Sequence, residues 1–545
     1  MSERGAHDTL PPSMDPRVGG GIVEPPTDFL GIVKRLGPGL IIAGSIVGSG
    51  ELIATTKTGA QAGIAILWLI IIGCVIKVFV QIELGRYTIG HGETTLAALN
   101  QVPGPRLMVN WIVWFWLVMI LIAFGQLAGI VGGVGQAAAL SAPVTGDYAE
   151  AIQVPSQKEI EQYIQWDDDL NGDRAKYSHL NTKEQQRILR GQEVLSEKLA
   201  NLDEKHGDVV AVVRGGGTLN DPRTYDDKIW AIVAAVFTAA LLYRGRYRMI
   251  QNIATVLVVA FTFITVGNVF ALQRTEEWHV PLSDFLHGLS FQLPEATESI
   301  NPIFTALAAF GIIGVGAGEL VQYPYWCLEK GYAKFTGPRT DDENWARRAR
   351  GWMMVMHYDA FASMIVYTVA TLAFFLLGVA VLYNEGRDPD GMRMVSTLAS
   401  AYVPVFGNYA RWLFLIGAVA VLYSTFLVAA ASLARVLTDA LKVFGWLDRH
   451  SQQAHDRSVS AFSVALPLLW GVVYCAGINP VRAVLISGMM HSIMLPVIGT
   501  GALYFRYCRT DERLKPGRLW DTLLIISSVG LLIAGGWGVY SASSH

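Results

Sequence analysis

Charge is what this sequence has least of. Only 16% of its 545 residues are Asp, Glu, Lys or Arg, while 52% are hydrophobic. Soluble domains carry about a quarter charged residues, so this scarcity, with a mean hydropathy of +0.37, excludes an ordinary soluble enzyme. It points to an all-α protein that crosses a membrane many times. A net charge of −3 gives no basic excess for a nucleic-acid partner. Cysteine is equally sparse: Cys74, Cys327, Cys475 and Cys508 lie in or beside apolar runs, and none falls in the long polar region, which rules out a disulfide framework. Zinc-type Cys/His spacing and a Gly-rich phosphate loop ending in Lys-Ser/Thr are both missing. No cofactor, no ATP-driven step and no enzyme activity are therefore expected. The first thirty residues are polar and rich in Pro and Gly without an apolar core, and read as a disordered cytoplasmic tail in place of a signal peptide.

What is present is apolar sequence in blocks of about 20 residues, the length that spans a bilayer. Eleven spans are expected, near 36–58, 64–86, 108–133, 228–243, 249–272, 303–326, 352–382, 411–438, 459–477, 481–506 and 519–541. Lys and Arg accumulate on alternate connections, for instance Lys34 and Arg35, Arg244 to Arg248, Lys330 to Arg350 and Arg506 to Arg518. Cytoplasmic loops retain such charges, which places the N-terminus in the cytoplasm and the C-terminus outside. The hydrophilic insert 142–227 falls outside by the same parity, as a partly helical cap or mobile loop. Within it, Asp167 to Asp173 imitates the opening of a calcium loop, but Ser178 stands where a bidentate Glu is needed, so it reads as a solvated acidic turn.

One hexapeptide is written twice. Val47 to Leu52 reads VGSGEL and Val315 to Leu320 reads VGAGEL, at equivalent places in the first and sixth spans. Each glycine costs a helix about 1 kcal/mol against Ala, and a lone carboxylate in hydrocarbon costs several kcal/mol unless a cation or proton compensates it. Opposed spans with matching weak points suggest inverted five-helix repeats, 31–272 and 303–506, whose first helices are broken near the midplane, with 519–541 as an additional helix. Gly-x-Gly also serves close helix packing, but repetition in both halves favours a site. Gly48, Ser49, Glu51, Val315, Gly316, Gly318 and Glu319 are the expected cation-binding residues, and Glu51 and Glu319 the metal ligands. Lys57, about 9 Å along the helix from Glu51, is expected to snorkel outward.

The stretch GPGLIIAGSIVGSGELIATTKTGAQAGIAILW, continued by GIIGVGAGEL in the sixth span and SIMLP in the tenth, resembles the Nramp divalent-metal transporters. The resemblance implies a leucine-transporter-like fold and metal transport. It also exposes departures. Gly48 and Glu51 stand where the family has its metal-binding Asp and Asn, while Val315, Gly318 and Leu320 stand at the carbonyl, Met and His positions, with Glu319 in place of Pro. Gln126 and Gly129 stand where the family has the acidic pair tied to proton transfer, and Met494 replaces a Gln. Loss of a thioether and gain of carboxylates favour hard cations such as Mg²⁺ or Mn²⁺. Magnesium-transporting relatives are one known divergent branch.

Four residues are candidates for a supporting or gating role: Gln126, Gln322, His491 and Met494. Gln322 follows Glu319 by three residues and is placed to hold its carboxylate. His491 reads first as a hydrogen-bonded interhelical residue and second as a gate or proton acceptor. Gln81, Glu83, Arg86, His357 and Asp359 read as an inner set of ion pairs. The sum is a monomeric secondary transporter in the plasma (inner) membrane, contacting lipid and moving a divalent cation by alternating access. The alternative is the same fold carrying a small organic cation or amino-acid-like solute.

Overall fold

The computed structural model of the protein describes residues 21–171, 182–202, 208–243, 247–276, 278–294, 301–403 and 408–543. Nine helical runs among these residues are long and apolar enough to cross a membrane. The first, Pro38–His91, is 54 residues long, ample for two crossings at 1.5 Å per residue. Asp226–Tyr243 falls outside that count, opening on Asp226, Asp227 and Lys228. The count of eleven expected spans is not reproduced by these nine runs, and the ends shift where they correspond: the third expected span runs Trp111–Ser141 and the eighth Asn408–Val443. The sole sheet among the described residues pairs Arg106–Leu107 with Val109–Asn110.

Helix starts follow their local chemistry. Asn301 and Asn479 place side-chain oxygens on the backbone N–H groups of Phe304 and Arg482, with Pro302 and Pro480 just inside each helix. Proline there gives up an N–H that has no helical partner anyway.

Both hexapeptides break their helices. Helix Pro38–Ile46 ends at Val47 and Gly48, and the chain resumes as a π-helical turn, Ser49–Thr55, followed by Thr56–Ala62. Helix Pro302–Ile312 ends in extended Ile313, turns at Gly314 with φ +58°, and restarts as Ala317–Lys330. Gly314, outside the repeated letters, therefore carries the left-handed turn that only glycine adopts cheaply. Pro38–Ile46 lies beside Ala317–Lys330, and Thr56–Ala62 beside Pro302–Ile312. The two broken helices thus run antiparallel.

The insert is partly helical, with Gln157–Asn171 and Thr182–Ala200 as its longer helices. Asp167 begins no calcium loop: helix continues through Asn171, and Asp167 and Asp168 pair with Arg214. Residues 172–181, which hold the rest of that motif, lie outside the described residues, as do Arg244, Arg246 and residues 1–20 of the expected tail. Within the rest of that tail Val23 is held against the protein. Val23 donates its N–H to Phe335 O at 3.1 Å and accepts from the Trp352 indole at 2.9 Å.

Gly48 is fixed by close approach. A Cβ there would stand 1.6 Å from Thr425 Oγ1. Gly48→Ala is expected to destabilise the protein by about 1–3 kcal/mol through overpacking, seen as a lower thermal midpoint of the purified protein. Adding Thr425→Ala should recover part of the loss; no recovery would place the cause elsewhere.

Candidate functional site

Between the breaks lies a cavity of about 40 Å³. Its polar wall comes from Ser45 and Ser49 of the first span, Gln126 of the third, Glu319 and Gln322 of the sixth, and His491 of the tenth. Ile46, Ile312, Gly318 and Thr425 help close it. Six of the residues singled out from sequence therefore meet here: Ser49, Gln126, Gly318, Glu319, Gln322 and His491.

The others take different places. Gly48, Val315 and Gly316 form the breaks. Glu51 is fully buried but does not line the cavity; it accepts from Thr371 Oγ1 at 3.1 Å and from the Gly48 N–H at 3.4 Å. Its carboxylate thus satisfies the break beside it. Met494 is buried and contributes no wall.

Two expectations are corrected. Gln322 does not hold Glu319; Ser45 Oγ, presented from the opposite half-helix, donates to Glu319 Oε1 at 3.3 Å. His491, expected to be hydrogen-bonded, has neither ring nitrogen partnered among the described residues, and Gln322 Oε1 is likewise unpartnered. The ring lies against Gly318, where a Cβ would come 3.3 Å from its Cε1. Gln126 is satisfied, donating to Ser49 Oγ at 3.2 Å and accepting from Ser487 Oγ at 2.7 Å. Among the described residues no three His, Cys, Asp or Glu side chains come together as a metal cluster. An ion here would find one carboxylate, one imidazole and neutral oxygens.

Polar contacts tie both ends of the broken helices. At the Pro38 end, Asp359 accepts from the N–H groups of Gly37 and Gly39 at 2.8 and 2.5 Å, capping that half-helix. Nearby, Arg86 pairs with Glu83 at 3.1 Å and meets His357 at 3.3 Å; of the rest of the expected set, Asp359 is the cap just described and Gln81 has no hydrogen-bond partner among the described residues. At the other end, Asp388, in the loop after the seventh span, receives Lys57 from the first span, Lys158 from the insert at 2.7 Å and Gln61 at 3.0 Å. Lys57 is buried in this pair, so it neither snorkels nor neutralises Glu51.

Comparison with known proteins resolves the family. Residues 199–541 match the model described as Nramp, natural resistance-associated macrophage protein-like. The chain belongs to the Nramp family. This is a family of membrane metal-ion transporters and not of enzymes, and the protein is accordingly an integral membrane protein. No curated protein matches the chain. Among solved structures it is similar to the Eremococcus coleocola manganese transporter. A histidine-to-alanine mutant of that protein superposes with a TM-score of 0.58 at 15% identity, covering 96% of this chain and 90% of that one. A glutamate-to-glutamine mutant gives 0.55 at 14% over the same shares. Its complex with an aromatic bis-isothiourea compound gives 0.51 at 16%, over 95% and 90%. At these identities the likeness is one of fold. The Nramp match includes the second hexapeptide and the tenth span; the first hexapeptide precedes it.

Sequence reading missed Ser45, Thr371 and Asp388. Ser45 was detectable as a polar residue one turn before the first break. Asp388 carried no signal, since an acidic residue in a loop is ordinary.

Burial works against the charge on Asp388, but the ammonium groups of Lys57 and Lys158 more than offset it and hold the carboxyl below its ordinary 3.8. A depressed folded-state pKa contributes stability at neutral pH that is lost as pH falls through it. Asp388→Asn should therefore lower the thermal midpoint at pH 7, with the gap to the parent closing as pH drops below 3.8. An equal gap at pH 3 and pH 7 would mean the ion pairs are not its source.

Proposed function

We propose that the protein is a secondary transporter moving a divalent metal cation, Mn²⁺ in preference to Mg²⁺, through the cavity between the two breaks by alternating access. The observation that carries this is the cavity itself. Its volume of about 40 Å³ is a few times the ~10–15 Å³ needed for one water. That leaves room for a dehydrating ion among its ligands. Its wall offers the Glu319 carboxylate, while the nitrogens of His491 and Gln322 Oε1 have no protein partner among the described residues. Unpartnered buried polar atoms are costly; a cation with oxygen and imidazole ligands would satisfy them.

The donor set narrows the choice of ion. Carboxylate, amide and hydroxyl oxygens suit Mg²⁺, Ca²⁺ and Mn²⁺, and an imidazole among them shifts the balance toward a transition metal. Mn²⁺ satisfies both tendencies. Glu319 contacts the ion, and Glu51, tied to its own break, adds negative potential from behind the wall. In this reading the metal and proton residues usual in the family are replaced by Glu319, His491 and Gln322. The halves 31–272 and 303–506 act as inverted repeats rocking about the cavity, and the side bearing the insert faces outward.

Uptake of Mn²⁺ into proteoliposomes tests this. Glu319→Gln and His491→Ala should each cut uptake at least tenfold, the effect of losing about 1.4 kcal/mol of transition-state or binding energy. His491→Gln should narrow the preference for Mn²⁺ over Mg²⁺. Full uptake in both Glu319→Gln and His491→Ala would sink the site.

A further inference from the structure

Lys77 is a buried cation that the transport reading leaves unused. It sits in the second span, is fully buried, and its Nζ donates to the carbonyls of Phe310 and Ile313, the latter at 2.8 Å. Its Nζ also lies over the Phe310 ring, 4.6 Å from the centroid. Among the described residues no carboxylate stands within ion-pair distance of it.

Those two carbonyls belong to the end of Pro302–Ile312, where the second break interrupts the helix. The last carbonyls of any helix lack intrahelical donors and carry the negative end of its dipole. In hydrocarbon they must be satisfied by protein or by an ion. Water and lipid offer little here, because Gly314, just past the end, is pressed against the second span: a Cβ would come 2.9 Å from Cys74 Cα. A cation fits this place on electrostatic grounds, and one is supplied covalently.

We infer that Lys77 is a tethered monovalent cation, an ammonium occupying a carbonyl site at the second break that would otherwise take Na⁺, K⁺ or a small alkylammonium from solution. The second break is thereby complete in charge without a co-bound ion. One further consequence rests on the proposed transport function: metal movement in the parent protein is independent of any Na⁺ or K⁺ gradient, and truncating Lys77 creates a dependence.

The main test uses the purified full-length protein and reads stability instead of uptake, so its failure and that of the metal-transport reading are separable. Thermal midpoints are measured in choline chloride, NaCl, KCl and n-butylammonium chloride for the parent, Lys77→Ala and Lys77→Met. The parent should melt at one temperature in all four. Lys77→Ala should melt lower in choline and rise by roughly 5 °C in at least one of the other three, as expected when ligand binds the folded state alone. Lys77→Met, which fills the space without the charge, should be destabilised in choline as well. A Lys77→Met protein as stable as the parent in choline would overturn the inference, since the carbonyls would then need no cation. So would a Lys77→Ala protein whose loss no cation repairs, or variants that fail to fold even when prepared in all three cations.

Discussion

A helix broken inside a bilayer leaves peptide groups that neither lipid nor distant water can satisfy, and much of the polar chemistry of this protein answers that one constraint. At the first break the Gly48 N–H turns to Glu51, and the same carboxylate accepts from Thr371. At the second, Lys77 gathers the carbonyls of Phe310 and Ile313. Asp359 performs the equivalent service for the N–H groups at the start of the first half-helix. A carboxylate therefore meets exposed donors, and an ammonium meets exposed acceptors.

The cavity between the breaks is what this arrangement leaves over. Glu319 has a single hydroxyl partner, Ser45, and His491 faces the same space with both nitrogens free of protein partners among the described residues. Glu51 and Glu319 began as equivalent letters in a repeated hexapeptide. They end in different roles because Gly48 bends back onto Glu51, whereas at the second break the turn falls earlier, at Gly314, and Glu319 follows inside a regular helix. Near-identical sequence thus produces one carboxylate absorbed by structure and one available to a ligand.

Much of the fold was legible because hydrocarbon enforces it: apolar blocks of spanning length mark membrane helices, and a glycine pair beside a carboxylate, repeated in two of them, marks where they break. Residues in the motif, and those one helical turn from it such as Gln322, were found by spacing. His491 was found but misread, since whether a buried ring has a partner depends on which helix lies opposite. Lys77 is a charge in an apolar run, but its acceptors are more than two hundred residues away in sequence, and no local pattern pointed to them. Asp388, which joins the insert to the first span, had no local signature; it is the meeting of Lys57, Gln61 and Lys158 that gives it weight.

The two breaks also engage different neighbours. Gly48 is lodged against Thr425 of the eighth span, while the second break is fastened to the second span through Gly314 and Lys77. A rotation at the first break must carry or slip past the eighth span, and a rotation at the second must carry or slip past the second. The two breaks are therefore held by unequal partners, so a substitution at one need not have the structural cost of its counterpart at the other.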